Sequence, residues 1–195
     1  MKTRPTILAV AAIACAGYAF HLQGQDRPTA TKKDAAASKA AFKEVYKVLM
    51  NPRCMNCHPA GSAPLQGDDS HPHTMNVKAG PEGKGSFAMK CTNCHQEHNL
   101  PGENMPPGNP TWHLPPRETP MVFEGRTAAQ LAAQIQDPKQ NGGKTLEQIY
   151  HHMAEDELVG WGWAPGDGRA PVPVSREEFA KQVRTWIDNG AEVPD

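Results

Sequence analysis

Two short runs carry the residues that could do chemistry: Cys54-Met-Asn-Cys57-His58 and, 37 residues later, Cys91-Thr-Asn-Cys94-His95. Both read C-x-x-C-H, the spacing of covalent heme attachment. Each thiol can add across one vinyl group of a porphyrin, and two intervening residues let one helical turn present both sulfurs to one ring edge. The next residue, His58 or His95, then falls under the iron and supplies the proximal imidazole. Two copies imply two heme c groups, with Cys54, Cys57, Cys91 and Cys94 as thioether donors.

Two cysteine pairs can also make a zinc site or a disulfide. Against this, each pair is followed directly by histidine, the 33-residue gap exceeds the usual ribbon loop, and only Cys15 stands outside the motifs. That cysteine lies in the opening segment, where Lys2 and Arg4 precede an apolar run from Ile7 to Phe20. Such a segment reads as an export signal. Gly17-Tyr18-Ala19 offers small residues for cleavage after Ala19, so residues 1–19 are the expected signal peptide and 20–33 a polar linker. An uncleaved membrane anchor and a poor lipobox at Ala14-Cys15 are the competing readings. Export to the periplasm agrees with thioether chemistry.

Distal ligands, on the iron face opposite each proximal histidine, have to come from elsewhere in the chain. Ser70-His-Pro-His-Thr-Met75 offers His71 and His73 in a loop, and Pro72 restricts the backbone between them; His73 is the first choice for one iron. For the other, His152 adjoins the apolar face of a helix, while neighbouring His151 is turned away by about 100 degrees. Met105, in a methionine-proline run, and His113 are alternatives with His71.

The elements that position these residues are mostly helical. Phe42, Val45, Tyr46 and Leu49 recur at helical spacing within residues 34–50, and Asn51-Pro52 ends that run just before the first motif. Thr127 caps a segment with Leu131 and Ile135, stopping at Asp137-Pro138. Thr145 and Gln148 make a capping box for a second, and Ser175 with Glu178 for a third that carries Phe179, Val183, Trp186 and Ile187 and stops at Gly190. Between these helices, Gly80–Gly85 is a turn cluster and Leu100–Pro120 holds seven prolines, which exclude helix and central strand.

The expected fold is therefore mainly α: cytochrome c-like helices with long Pro/Gly-rich loops wrapped around two c-type hemes, little or no sheet, and one domain over residues 34–195. Removing Lys2 and Arg4 from 20 basic residues leaves 18 against 21 acidic ones. With no basic run, nucleic acid is not indicated as a partner, and a membrane partner arises only if the N-terminal segment is retained.

The two C-x-x-C-H runs behind an export signal resemble an exported diheme c-type cytochrome. The run from His113 to Gly190, with NGGKTLEQIY, ELVGWGWAPG and FAKQVRTWIDNG, resembles small cytochromes c labelled as isoquinoline 1-oxidoreductase-associated subunits. That resemblance implies periplasmic electron transfer between an oxidoreductase, of molybdenum hydroxylase type, and the respiratory chain. It makes the chain an electron carrier and not an enzyme. The alternative is a small diheme peroxidase or reductase with one open heme iron, and a ligand-binding sensor is a third class.

Overall fold

The helical periodicity falls where the sequence puts it. The computed structural model describes residues 33–195, so the export segment and nearly all of the linker lie outside the described residues. Its helices are α1 (Ala35–Leu49), α2 (Pro52–Met55), α3 (Ala128–Gln136), α4 (Leu146–Glu155), α5 (Glu157–Gly160) and α6 (Arg176–Asp188). The strands described are β1 (Leu65–Gln66) and β2 (His71–Pro72), an antiparallel ribbon pairing Leu65 with Pro72 and Gln66 with His71. The described chain is thus mainly helical with little sheet, and residues 33–195 fall in one compact unit. Among the described residues no helix is long and apolar enough to cross a membrane.

α1 and α6 form the frame. Asp34 caps α1 by accepting from the Ala37 amide at 3.0 Å. Phe42, Val45, Val183 and Trp186 are buried between the two helices and their neighbours, each contributing about 1.5–3 kcal/mol of transfer free energy at large apolar side chains. Phe42 and Trp186 meet with ring centres 4.7 Å apart. Ser38 is fully buried in the same seam, yet it is satisfied: its Oγ donates to the Trp186 carbonyl at 2.8 Å and accepts from the Glu192 amide at 3.0 Å.

α6 ends at Gly190, whose φ is +112°. Its amide bonds the Ile187 carbonyl and that of Ala191 bonds Trp186, the paired bonds of a Schellman stop. At the other end of α6 the expected capping box is only half made. Ser175 accepts from the Glu178 amide, but the Glu178 carboxylate accepts from Gln182 at 2.6 Å instead of turning back. Full boxes open α3 at Thr127/Gln130 and α4 at Thr145/Gln148. Asn141 ties the α3–α4 turn together: its Nδ2 donates to the Ile135 carbonyl at 2.8 Å and its Oδ1 accepts from the Lys144 amide at 2.8 Å.

Between α2 and α3 the backbone is irregular apart from the ribbon and a 3-10 turn over Cys91–Asn93. The proline-rich stretch is held by its neighbours and not by secondary structure of its own. Leu114 is buried, and its amide donates to the Gly83 carbonyl at 2.9 Å. Gly83 itself has φ +74°, and a Cβ there would lie 1.8 Å from the Leu114 carbonyl oxygen, so both conformation and space require glycine.

Two features exceed the sequence reading. The β1–β2 ribbon lacks apolar alternation and is fastened by backbone groups, with the Leu65 amide on the Asn56 carbonyl and the His73 amide on the Pro64 carbonyl. α5 forms because Asp156 accepts from the Leu158 and Val159 amides at 2.8 and 3.2 Å. It passes into a 3-10 turn over Trp161–Trp163.

Candidate functional site

The first motif is built on α2. Asn51 caps it, accepting from the Arg53 amide at 2.9 Å, and Pro52 supplies a preset φ at the helix start. Turn bonds from the Cys57 amide to Cys54 and from the His58 amide to Met55 carry the curl through the motif. Both thiols and His58 therefore line one cavity. Burial pushes the Cys54 thiol up to about 12 and the Cys57 thiol to about 11, so both stay protonated.

His58 is held on three sides. Its Nδ1–H donates to the Met121 carbonyl at 2.7 Å. Its ring stacks on Phe123, centres 3.9 Å apart and planes 12° from parallel. The Phe123 amide donates to the His58 carbonyl at 2.9 Å. A carbonyl only accepts, so the ring proton sits on Nδ1 and the Nε2 lone pair is left for a metal. Burial lowers its pKa to about 4 against the opposing pull of the Met121 carbonyl, and His152 and His113 add to the depression.

The second motif reaches the same solution from other surroundings. Cys91 opens the 3-10 turn, and the Cys94 and His95 amides both bond its carbonyl at 3.2 and 2.9 Å. His95 Nδ1–H donates to the Pro107 carbonyl at 2.7 Å, and the ring stacks on Trp112 at 4.6 Å and 9°. Its pKa is lowered by burial, offset in part by the Pro107 carbonyl and then lowered further by His73 and Arg169. Cys91 is buried and Cys94 exposed. The motifs are neighbours through Trp112, which stacks on His95 and lines the cavity beside Cys54 and Cys57.

Beside the first motif lies an open cavity of about 200 Å³. Protein interiors pack densely, with few voids larger than a water molecule, so the room left here suits a bound group. The residues fit a heme: two thiols and an oriented imidazole on one side, apolar Leu49, Ile135 and Ile149 around it, and His152 and His113 also on the wall. His152 is half-buried, its Nδ1 3.6 Å from the Asp156 carboxylate. Burial lowers its pKa, and Asp156 opposes. His151 is exposed between Glu147 at 3.2 Å and Glu155 at 2.8 Å, so the helix separates the two histidines. His113 is exposed and bonded through Nδ1 to the Thr111 carbonyl.

At the second motif His73 comes up to His95, ring centres 6.3 Å apart and planes at 60°. A metal–imidazole bond is about 2 Å, so two imidazoles sharing one metal have their centres roughly 6 Å apart. His73 Nδ1 accepts a long bond, 3.3 Å, from the Met75 amide. In that tautomer the proton is on Nε2, and ligation there has to move it. His71 Nδ1 is engaged by Asp69 at 2.6 Å, and Met105 is 42% exposed, its carbonyl accepting from Arg169 at 2.6 Å.

Among the described residues no disulfide joins the four motif cysteines. Among the described residues no group of three or more His, Cys, Asp or Glu side chains converges as a metal cage. The sequence reading missed the supporting residues. Met121 and Pro107 act through backbone carbonyls, which no side-chain pattern announces. Arg53 is visible next to Cys54, but its burial, its ion pair with Asp68 and its place 5.8 Å above the Trp161 ring are tertiary facts. Compared with known proteins, no protein family, no curated protein and no solved structure matches the chain.

Proposed function

We propose that the protein is a periplasmic electron carrier with two covalently attached c-type hemes, passing electrons between an oxidoreductase and the respiratory chain. The observation that carries this reading is the pair of C-x-x-C-H histidines, each with Nδ1 anchored on a backbone carbonyl at 2.7 Å and its ring stacked on an aromatic, one of them in the wall of an open cavity. Such anchoring of the far ring nitrogen is how proteins orient metal-ligating histidine.

Bound heme supplies the one-electron ferric/ferrous couple. Cys54 and Cys57 hold the first group and Cys91 and Cys94 the second, with His58 and His95 as proximal ligands. His152, with His113 on the same cavity wall, would supply the distal ligand at the first group, and His73 would supply it at the second. A histidine on each side of each iron would leave no position for a substrate, and that arrangement would suit a carrier better than a peroxidase or reductase. Histidine on both faces also holds the potentials below those of His/Met ligation. The redox partner belongs to the class named by the resemblance, a molybdenum hydroxylase-type oxidoreductase or a respiratory-chain component.

The test is to express the whole chain with its export segment in a host competent for cytochrome c assembly. Intact mass should show two added hemes, and ferric and ferrous spectra should be low-spin and unchanged by carbon monoxide. A colourless product with the mass of polypeptide alone refutes the reading. A high-spin component that binds carbon monoxide moves it to the peroxidase or reductase class.

A further inference from the structure

Trp112 lies between the two motifs. Its indole stacks on His95, and the same side chain lines the cavity that contains Cys54, Cys57 and His58. It also meets Trp161 at 5.2 Å and 88°, an edge-to-face pair, and Trp161 lines that cavity as well. Packed rings therefore run without a break from the His95 imidazole to the wall of the other site.

The joint is fastened by Asn99. Its Oδ1 accepts from Trp161 Nε1 at 2.9 Å and from the Gly108 amide at 3.0 Å, and its Nδ2 donates to the Ala164 carbonyl at 3.0 Å. One side chain thus links the loop that carries the Pro107 anchor of His95 to the turn that carries Trp161. The Trp161 hydrogen bond fixes which edge of that ring faces Trp112.

We propose that the Trp112–Trp161 pair is the route by which an electron crosses between the two sites, an inference that rests on the heme reading above. Electron tunnelling falls exponentially with distance, and falls faster across water or empty space than through packed atoms. In the step one electron leaves ferrous iron at one site and reduces ferric iron at the other. No bond forms or breaks, no proton moves, and the indoles mediate without being oxidised.

The experiment uses the matured full chain and its Trp112→Phe, Trp112→Leu and Trp161→Leu variants. Phenylalanine keeps a ring on His95 but is too short to hold the contact with Trp161, and Trp161 forms no ring pair with His95, so ligand positioning and electron passage separate. Intact mass establishes two hemes in each protein, and electron paramagnetic resonance checks axial ligation. A photoexcited ruthenium complex then injects one electron, and its redistribution between the sites is followed optically. Redistribution should slow by about an order of magnitude or more in all three variants, with the low-spin signals of Trp112→Phe unchanged. Wild-type rates in Trp112→Phe and Trp161→Leu would overturn the proposal and leave Trp112 as a support for His95. Absence of heme from the wild-type chain is a separate failure, read by mass before any kinetics, and it sinks the carrier reading itself.

Discussion

Replacing Asn99 by alanine asks whether hydrogen bonds or apolar packing hold the joint between the two motifs. Three bonds are lost, to Trp161 Nε1, the Gly108 amide and the Ala164 carbonyl. At about 1 kcal/mol net for each, the cost is roughly 3 kcal/mol. The Gly108 amide adds to this, because Gly108 is buried and its segment cannot move aside: a Cβ at Gly108 would already lie 2.1 Å from the His98 carbonyl oxygen. Asn99→Asp keeps both acceptor bonds and loses only the donor to Ala164, so its cost is about 1 kcal/mol. Urea unfolding followed by far-UV circular dichroism reads both variants. With a slope of about 2 kcal/mol/M, the midpoint should fall by roughly 1.5 M for alanine and about 0.5 M for aspartate, the slope itself staying constant. Equal midpoints for the two variants, or an alanine variant indistinguishable from wild type, would refute the reasoning.

Three other outcomes follow from the same geometry. His152→Ala and His73→Ala should each convert one heme to high spin, while His151→Ala and Met105→Ala leave both spectra unchanged; electron paramagnetic resonance decides, and low-spin signals surviving in His152→Ala would turn attention to His113. Trp186→Ala removes a fully buried ring packed on Phe42 and should cost about 3–5 kcal/mol in denaturant titration; a loss near zero would mean that the α1–α6 seam does not carry the fold. Arg184 makes two bonds to Glu147, 2.6 and 2.7 Å, which hold that carboxyl below its ordinary range. A depressed carboxylate stabilises above its unfolded pKa and loses that contribution as pH falls through the folded value. Arg184→Ala should therefore raise the Glu147 titration midpoint toward ordinary glutamate in an NMR pH titration, and an unmoved midpoint would show that the pair is not formed in solution.

The residues that could do chemistry were legible because their arrangement is local. A C-x-x-C-H run places two sulfurs and an imidazole within one turn of backbone whatever surrounds it, and α1, α3, α4 and α6 announced themselves through apolar spacing and caps that span a few residues. The ribbon and α5 did not, since backbone bonds to distant segments and a single aspartate cap hold them in place of any apolar pattern. The surroundings of each histidine were decided between segments. On α4 helical geometry alone separated His152 from His151, but the engagement of His71 by Asp69 and the approach of His73 to His95 are tertiary facts. The anchors of the proximal rings are carbonyls 63 and 12 residues away in the chain. A carbonyl is common to every residue, so only the path of the backbone in three dimensions determines which one meets an imidazole.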